Sequence, residues 1–324
     1  MGCRQAHNFL HPINKRVNMI ERSTVNIKGR IIKGLGGLYD ILTDEGDLLS
    51  CRARGVFRHK DMTPTVGDIV VVRADGDGMF IESIEERKND LIRPPLSNVD
   101  VMFITFAATK PEPSLLNIDK MCAICEHNNI TPIIVVTKND IDREKAKEYA
   151  DIYKKAGYAA FSISSINGEG TEEFVKYASR ELVGKCAAFA GASGVGKSTC
   201  INLLFPNLEL KTSDISRKIQ RGKHTTRHVE LYPVEIEGGR ALLADTPGFG
   251  LIDFVRFDFF ELENLAACFT EFYDYIGECK YTKCTHKKEE GCKIVEAVER
   301  GEISRSRHDS YCAIYDEFKN KKHK

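Results

Sequence analysis

Apolar and polar residues alternate with a period of two through the first third of the chain, and solid apolar runs replace that pattern beyond residue 100. Val25-Asn26-Ile27-Lys28-Gly29-Arg30-Ile31-Ile32 alternates, and Gly34, Gly36 and Gly37 supply a turn. Leu38–Leu42, Leu48–Arg52, Asp68–Arg73 and Met79–Ile81 follow as short β-like stretches. Asp75-Gly76-Asp77-Gly78 between the last two is a hairpin signal. About five short strands within roughly 65 residues predict a small barrel of the OB type, and a barrel with no nucleic-acid role fits the same pattern.

Residues 87–95, polar and ending in Pro94-Pro95, read as a linker. From Val101 to about Phe254 strands and helices alternate, with strands expected near Val101–Phe106, Pro132–Val136, Ala159–Ser162, Cys186–Ala190, His228–Val234 and Ala241–Leu243. Helical patterns fill the intervals, as at Ile141–Ala156 and Gly196–Leu204, and the whole predicts a mostly parallel α/β sheet. From about Arg256 helices are expected to predominate around a cysteine-rich knot. The resulting divisions are an extension over 1–20, a barrel over 21–88, a nucleotide domain over 96–254 and a helical, metal-holding domain over 255–324.

Composition narrows this picture only a little. Lys+Arg and Asp+Glu are 47 each, so net charge neither favours nor excludes a nucleic-acid partner, whose binding depends on local patches. No apolar run approaches the roughly 18 residues of a membrane span, and the first residues lack a secretory core, so a cytoplasmic protein with no membrane partner is expected. Residues 1–20 read as a loose extension, or as sequence upstream of a start at Met19. Eleven cysteines are many for a compartment that disfavours disulfides. Cys122 and Cys125 form a C-x-x-C inside a helical pattern with no second pair, and they read as buried small apolar residues, as do Cys51, Cys186, Cys200, Cys268 and Cys312.

The chemistry lies in two short motifs about fifty residues apart. Gly191-Ala192-Ser193-Gly194-Val195-Gly196-Lys197-Ser198-Thr199 fits G-x-x-x-x-G-K-[ST] and follows the apolar run Cys186–Ala190. Its glycines let backbone N–H groups turn onto phosphates, and the helix beginning near Lys197 directs its positive end at them. Lys197 is expected at the β- and γ-phosphates, Ser198 on Mg²⁺ and Thr199 at the α-phosphate. Upstream, Thr137-Lys138-Asn139-Asp140 closes another apolar run and fits [NT]-K-x-D, the guanine-selecting signature. Asp140 can accept from guanine N1–H and the 2-amino group, donors that adenine lacks in that arrangement. Thr137 stands where asparagine is commoner, which weakens or removes the contact that asparagine makes. Ser164-Ser165, after the strand ending at Ser162, are expected to cap the base.

Two further stretches complete the set. Asp245-Thr246-Pro247-Gly248 follows an apolar strand, so Asp245 is expected to hold Mg²⁺ through water and the Gly248 N–H to meet the γ-phosphate. Gly222-Lys223-His224-Thr225-Thr226 resembles a switch I, with Thr226, or else Thr225, completing the Mg²⁺ shell. Downstream, Cys279, Cys284, His286 and Cys292 put three thiols and an imidazole within fourteen residues. That donor set suits Zn²⁺ in a closed structural site, one per chain. The lysines around it, Lys280, Lys283, Lys287 and Lys288, fit an RNA-facing or a merely solvated surface.

With base motifs first and phosphate motifs second, these residues resemble the circularly permuted GTPases. From about residue 20 to its end the chain resembles the ribosome small subunit-dependent GTPase A family of bacterial ribosome-biogenesis factors. The resemblance implies an OB-like N-terminal domain that binds RNA, a permuted GTPase and a C-terminal zinc domain. It also implies a factor that acts on the 30S subunit and its 16S rRNA late in maturation and hydrolyses GTP faster when bound there; a monomer is expected. Phe249 occupies the place where many GTPases carry the glutamine that orients the attacking water. An apolar side chain cannot do this, and His224 is the replacement that the resemblance also suggests. Phe249 leaves open an RNA-binding adaptor that senses GTP or GDP without turnover, and the motifs alone allow a GTPase with a non-ribosomal partner. The motif order has a mechanical corollary: the chain runs from Asp245–Phe249 straight into the zinc domain, so relaxation of the switches would pull on that domain alone.

Overall fold

A computed structural model describes residues 26–55, 57, 63–75, 78–92, 95–206, 229–245 and 261–321. The chain divides into two units, one ending at Arg87 and the other beginning at Lys88.

The first unit is a closed barrel of β1 (Ile27–Leu35), β2 (Leu38–Thr43), β3 (Leu48–Ala53), β4 (Ile69–Asp75) and β5 (Gly78–Ile84). Strand order is β1-β2-β3-β5-β4, and β4 returns to pair with β1. All pairs are antiparallel except β3–β5. Period-two alternation sends Ile31, Ile41, Cys51, Val70, Val72 and Ile81 inward, and each is buried. Asp75 and Gly78 face each other in register, as the hairpin signal predicts. Asp68, fully buried, takes a forked pair from Arg87 at 2.7 and 2.8 Å and so fastens the barrel's last residue to its wall.

The second unit opens where a linker was expected, and the segment is instead tied down. β6 (Asp90–Ile92) and β7 (Pro95–Ser97) pair antiparallel. The reason is Asn89, whose buried amide donates to Val99 O at 2.8 Å and accepts from Val99 N at 2.9 Å. A polar stretch can thus be ordered by one side chain that mimics a strand neighbour.

The main sheet has the order β10-β9-β8-β11-β13-β12. Its strands are β8 (Val101–Ala107), β9 (Thr131–Thr137), β10 (Ala159–Ser162), β11 (Cys186–Ala190), β12 (Glu230–Ile236) and β13 (Gly239–Asp245). Only β12 runs antiparallel to its neighbour. β8 and β11 are buried at every position, because helices cover both faces of a parallel sheet. α1 (Leu115–His127), α2 (Arg143–Lys155), α3 (Thr171–Leu182) and α4 (Lys197–Leu204) supply that cover. Phe103 on β8 stacks on Phe189 of β11 with centroids 4.6 Å apart, and Phe174 of α3 meets Phe103 edge-on at 6.0 Å.

Beyond residue 261 come three short 3₁₀ turns between Leu262 and Tyr275, then α5 (Lys293–Glu299) and α6 (Arg305–Lys321). Cys122 and Cys125 are buried on α1, and Cys51, Cys186, Cys200 and Cys268 are buried elsewhere. Burial pushes the thiols of Cys51, Cys200 and Cys268 up to about 12, which leaves them protonated and inert at neutral pH. Among the described residues no helix is long and apolar enough to cross a membrane.

Candidate nucleotide site and metal centre

Parallel strands end on a common edge, and the predicted motifs after β9, β10 and β11 lie on it, with Asp245 at the end of β13. After β11 the chain turns through Gly191–Gly196 into α4. Gly191 has φ +147°, and a Cβ there would lie 2.0 Å from Thr105 O, so only glycine fits. Gly196, at φ +103°, heads α4 in the left-handed region. Ala192, Ser193 and Gly194 are exposed between buried Gly191 and buried Val195, so the loop is open along its middle. Lys197 Nζ crosses back to donate to Gly191 O and Ala192 O, both at 2.7 Å. Burial lowers its pKa from the ordinary lysine value, so a nearby anion would stabilise its charged form. Ser198 is exposed one residue further on, and Thr199 is half-buried.

Thr137 ends β9 and is buried against this loop. Its Oγ1 lies 2.5 Å from Val195 O and 3.2 Å from Phe106 O. Lys138, in the left-handed region at φ +59°, donates from Nζ to Gly194 O at 2.9 Å and to Lys110 O at 2.7 Å. Two motifs separated by more than fifty positions are therefore bonded side by side. Asn139 is buried and donates to Ser162 O at 3.2 Å, which ties β9 to the end of β10. Asp140 is exposed, and Ser164 Oγ donates to its Oδ1 at 2.5 Å. Ser165 is exposed, so of the two serines Ser164 is the one that touches the acid. Asp142 then caps α2, accepting from Lys145 N at 3.0 Å.

Asp245 is the last residue of β13, one step beyond the Ala188–Ala244 pair and so on the phosphate-loop edge. His224, Thr225, Thr226 and the stretch 246–249, with Gly248, lie outside the described residues. The links of Thr137 and Lys138 to loop carbonyls were not foreseen. The threonine in place of asparagine was the signal that could have raised the first of them.

The second constellation is the cysteine knot. The ligand atoms of Cys279, Cys284, His286 and Cys292 all lie within 4.8 Å of one another, a set that could hold a metal ion. Cys279 Sγ and Cys292 Sγ are 3.8 Å apart, and His286 Nδ1 lies 3.5 and 3.6 Å from them. Glu289 holds the knuckle by accepting from the backbone of Thr285, Lys287 and Lys288 at 3.0–3.1 Å and from the Thr285 hydroxyl. α6 fastens it from outside: Tyr311 Oη donates to Thr285 O at 3.0 Å, and His308 Nε2 lies 2.7 Å from His286 O. Of the lysines here, Lys287 pairs with Asp316 at 2.5 Å and Lys280 with Glu290 at 3.5 Å.

Comparison with known proteins bears on both constellations. The family model described as RsgA GTPase matches residues 84–255, and that of the RsgA N-terminal domain matches 28–79. The small ribosomal subunit biogenesis GTPase RsgA of Bacillus pumilus is 42% identical over 305 residues, covering 91% of this chain and 98% of the relative. That of Geobacillus sp. strain WCH70 is 43% identical over 300 residues with the same coverage. Among solved structures, YloQ, a circularly permuted GTPase, superposes with a TM-score of 0.73 at 34% identity, covering 92% of this chain and 96% of that one. YjeQ from Thermotoga maritima gives 0.75 at 31% identity, covering 91% and 99%. A rotated motif order refolded into one continuous site, together with a match along nine-tenths of the chain, carries the conclusion: this protein belongs to the RsgA GTPase family of GTP-hydrolysing enzymes.

Proposed function

We propose that this GTPase acts late in assembly of the small (30S) ribosomal subunit, binds 16S rRNA, and hydrolyses GTP faster when the subunit is bound. The observation that carries this reading is the bonding of the guanine motif to the phosphate loop, in a chain whose relatives over 91% of its length are named for small-subunit biogenesis. On this reading Gly191–Gly196 wraps the phosphates and Lys197 reaches the β- and γ-oxygens. Ser198 and Thr226 hold Mg²⁺ with Asp245 behind them through water, and Gly248 N–H meets the γ-phosphate. The exposed Ser198 hydroxyl beside Lys197 fits that donor set, and the ion would neutralise charge on the transferred phosphoryl group. Thr137–Asp140 and Ser164 hold guanine. His224 orients the attacking water, because Phe249 cannot.

The barrel's order β1-β2-β3-β5-β4, closed by β1–β4 and containing one parallel pair, supports an OB fold, an architecture suited to RNA. The domains run over 21–88, 96–254 and 255–324, and the protein works as a cytoplasmic monomer. Zinc is the metal of the knot. A zinc tetrahedron built on ordinary bond lengths has S···S edges of about 3.8 Å and S···N edges of about 3.5 Å. The observed 3.8, 3.5 and 3.6 Å fit them. Purified protein is expected to hold one zinc per chain by elemental analysis. Cys279→Ser should lose it while Cys51→Ser, in the barrel, keeps it; retention by the first would refute this ligand set.

GTP turnover with and without purified 30S subunits tests the main reading. Turnover should rise with the subunit, and His224→Ala should abolish that rise while nucleotide affinity stays within about twofold. Good turnover indifferent to 30S would point to another partner, and negligible turnover in both conditions would refute a catalytic role. Unchanged stimulation in His224→Ala would remove that residue from the mechanism.

A further inference from the structure

Guanine presents hydrogen-bonding groups on two edges: N1–H, the 2-amino group and O6 on one, N7 and O6 on the other. Reading N7 requires a donor, because N7 only accepts. A threonine hydroxyl has a single proton, and that of Thr137 has two buried carbonyls in reach, Val195 O of the phosphate loop at 2.5 Å and Phe106 O at 3.2 Å. Thr137 is 5% exposed, so its hydroxyl is enclosed with these two carbonyls and away from solvent. Of the neighbouring polar side chains, Asn139 is buried and gives an amide proton to Ser162 O, and the Ser164 hydroxyl donates to Asp140.

We propose that Thr137 is a positioning residue that locks the guanine-reading segment onto the phosphate loop, so that this enzyme recognises guanine by its Watson–Crick edge and leaves N7 unread. This deepens the proposed assignment of Thr137–Asp140 as the guanine site and rests on it. An asparagine at this position carries two amide protons and can serve the loop and N7 together. Threonine can serve one. Selectivity against adenine is unaffected, since it resides in Asp140.

The probe is 7-deaza-GTP, in which N7 becomes C–H while the Watson–Crick edge and the phosphates are kept. Calorimetric titration of the full-length protein with Mg²⁺ should give GTP and 7-deaza-GTP affinities within about twofold of each other. A tenfold or greater preference for GTP would overturn the proposal, and this comparison needs no variant. Thr137→Val keeps the shape and loses the bridge, so both nucleotides should weaken alike, by about tenfold, with their ratio unmoved. If GTP weakened while 7-deaza-GTP did not, the hydroxyl would be reading N7 and the proposal would fail. Thr137→Asn should create a preference for GTP of about fivefold over the deaza analogue. If wild-type protein bound neither nucleotide, the guanine-site assignment would fall first, and this inference with it.

Discussion

Asp140→Asn is expected to weaken GTP binding by about 10²- to 10⁴-fold, the loss of two hydrogen bonds to a charged acceptor at about 1.5–3 kcal/mol each. On the proposed assignment the carboxylate takes guanine N1–H and the 2-amino group together. Ser164 governs what the variant does next. Its hydroxyl donates to Oδ1 at 2.5 Å, so an amide at position 140 would keep its oxygen toward Ser164 and turn its NH₂ toward the base. That NH₂ meets the 2-amino group of guanine donor to donor. Xanthine carries a carbonyl oxygen at the same carbon, which accepts. The variant should therefore prefer XTP to GTP, measured by competition against a fluorescent GDP analogue. GTP binding within tenfold of wild type would show that Asp140 does not read the base.

Much of this site was legible because its chemistry sits in contiguous runs. A phosphate loop needs glycines at fixed offsets, and a guanine site needs a carboxylate at a strand's end, so Gly191–Ser198 and Thr137–Asp140 announce themselves. The strands of the main sheet could be read for a related reason: burial on both faces leaves unbroken apolar runs such as β8 and β9. Contacts made by single side chains across long separations could not be read. The stretch at 87–95 reads as loose because the bonds that order it are a three-residue ladder and the side chains of two asparagines, Asn89 and Asn98. The choice between Ser164 and Ser165 needed a distance. Cys279, Cys284, His286 and Cys292 lie between, legible as donor types within fourteen residues and brought together as a cluster only by the fold.

The arginine at 307 was not legible at all. Arg305-Ser306-Arg307-His308-Asp309-Ser310 is a run of polar residues, yet Arg307 and Asp119 are each 1% exposed. The guanidinium gives Nη1 to Asp119 Oδ1 at 2.7 Å, and Nε and Nη2 to the two oxygens of Glu271 at 2.7 and 3.0 Å. It lies 4.7 Å over the Phe269 ring, with Tyr158 and Tyr153 at 5.5 and 5.7 Å. Tyr153 Oη donates to the same Asp119 oxygen at 2.9 Å. One side chain of α6 thus gathers α1, α2, the Tyr158 turn and the 3₁₀ segment. Lys120–Glu317 at 2.7 Å, Thr270 Oγ1 to Ala156 O at 2.5 Å, and Lys155 to Gly301 O add to the same seam.

Arg307→Ala is accordingly expected to cost about 3–5 kcal/mol, because it strands two carboxylates in a space closed to water. For a unit of this size that is a fall in Tm of about 6–20 °C. The pH dependence gives a sharper signature. Burial already pushes the Asp119 carboxyl above its usual range against the pull of Arg307, and removing the cation pushes it higher. A carboxyl whose folded pKa is raised binds more proton folded than unfolded, so its contribution to stability falls as pH rises between the two values. The deficit of the variant should therefore be larger at pH 8 than at pH 5. A deficit of under 1 kcal/mol, or one independent of pH, would show that the cluster is solvated. The seam also bears on the reading that the C-terminal region answers to the switches alone. α2 is capped by Asp142, two residues past Asp140, and ends at Lys155 against that region, so one helix spans from beside Asp140 to the C-terminal seam. A rearrangement that moved the region would have to break Arg307's buried pairs or carry α1 and α2 with it.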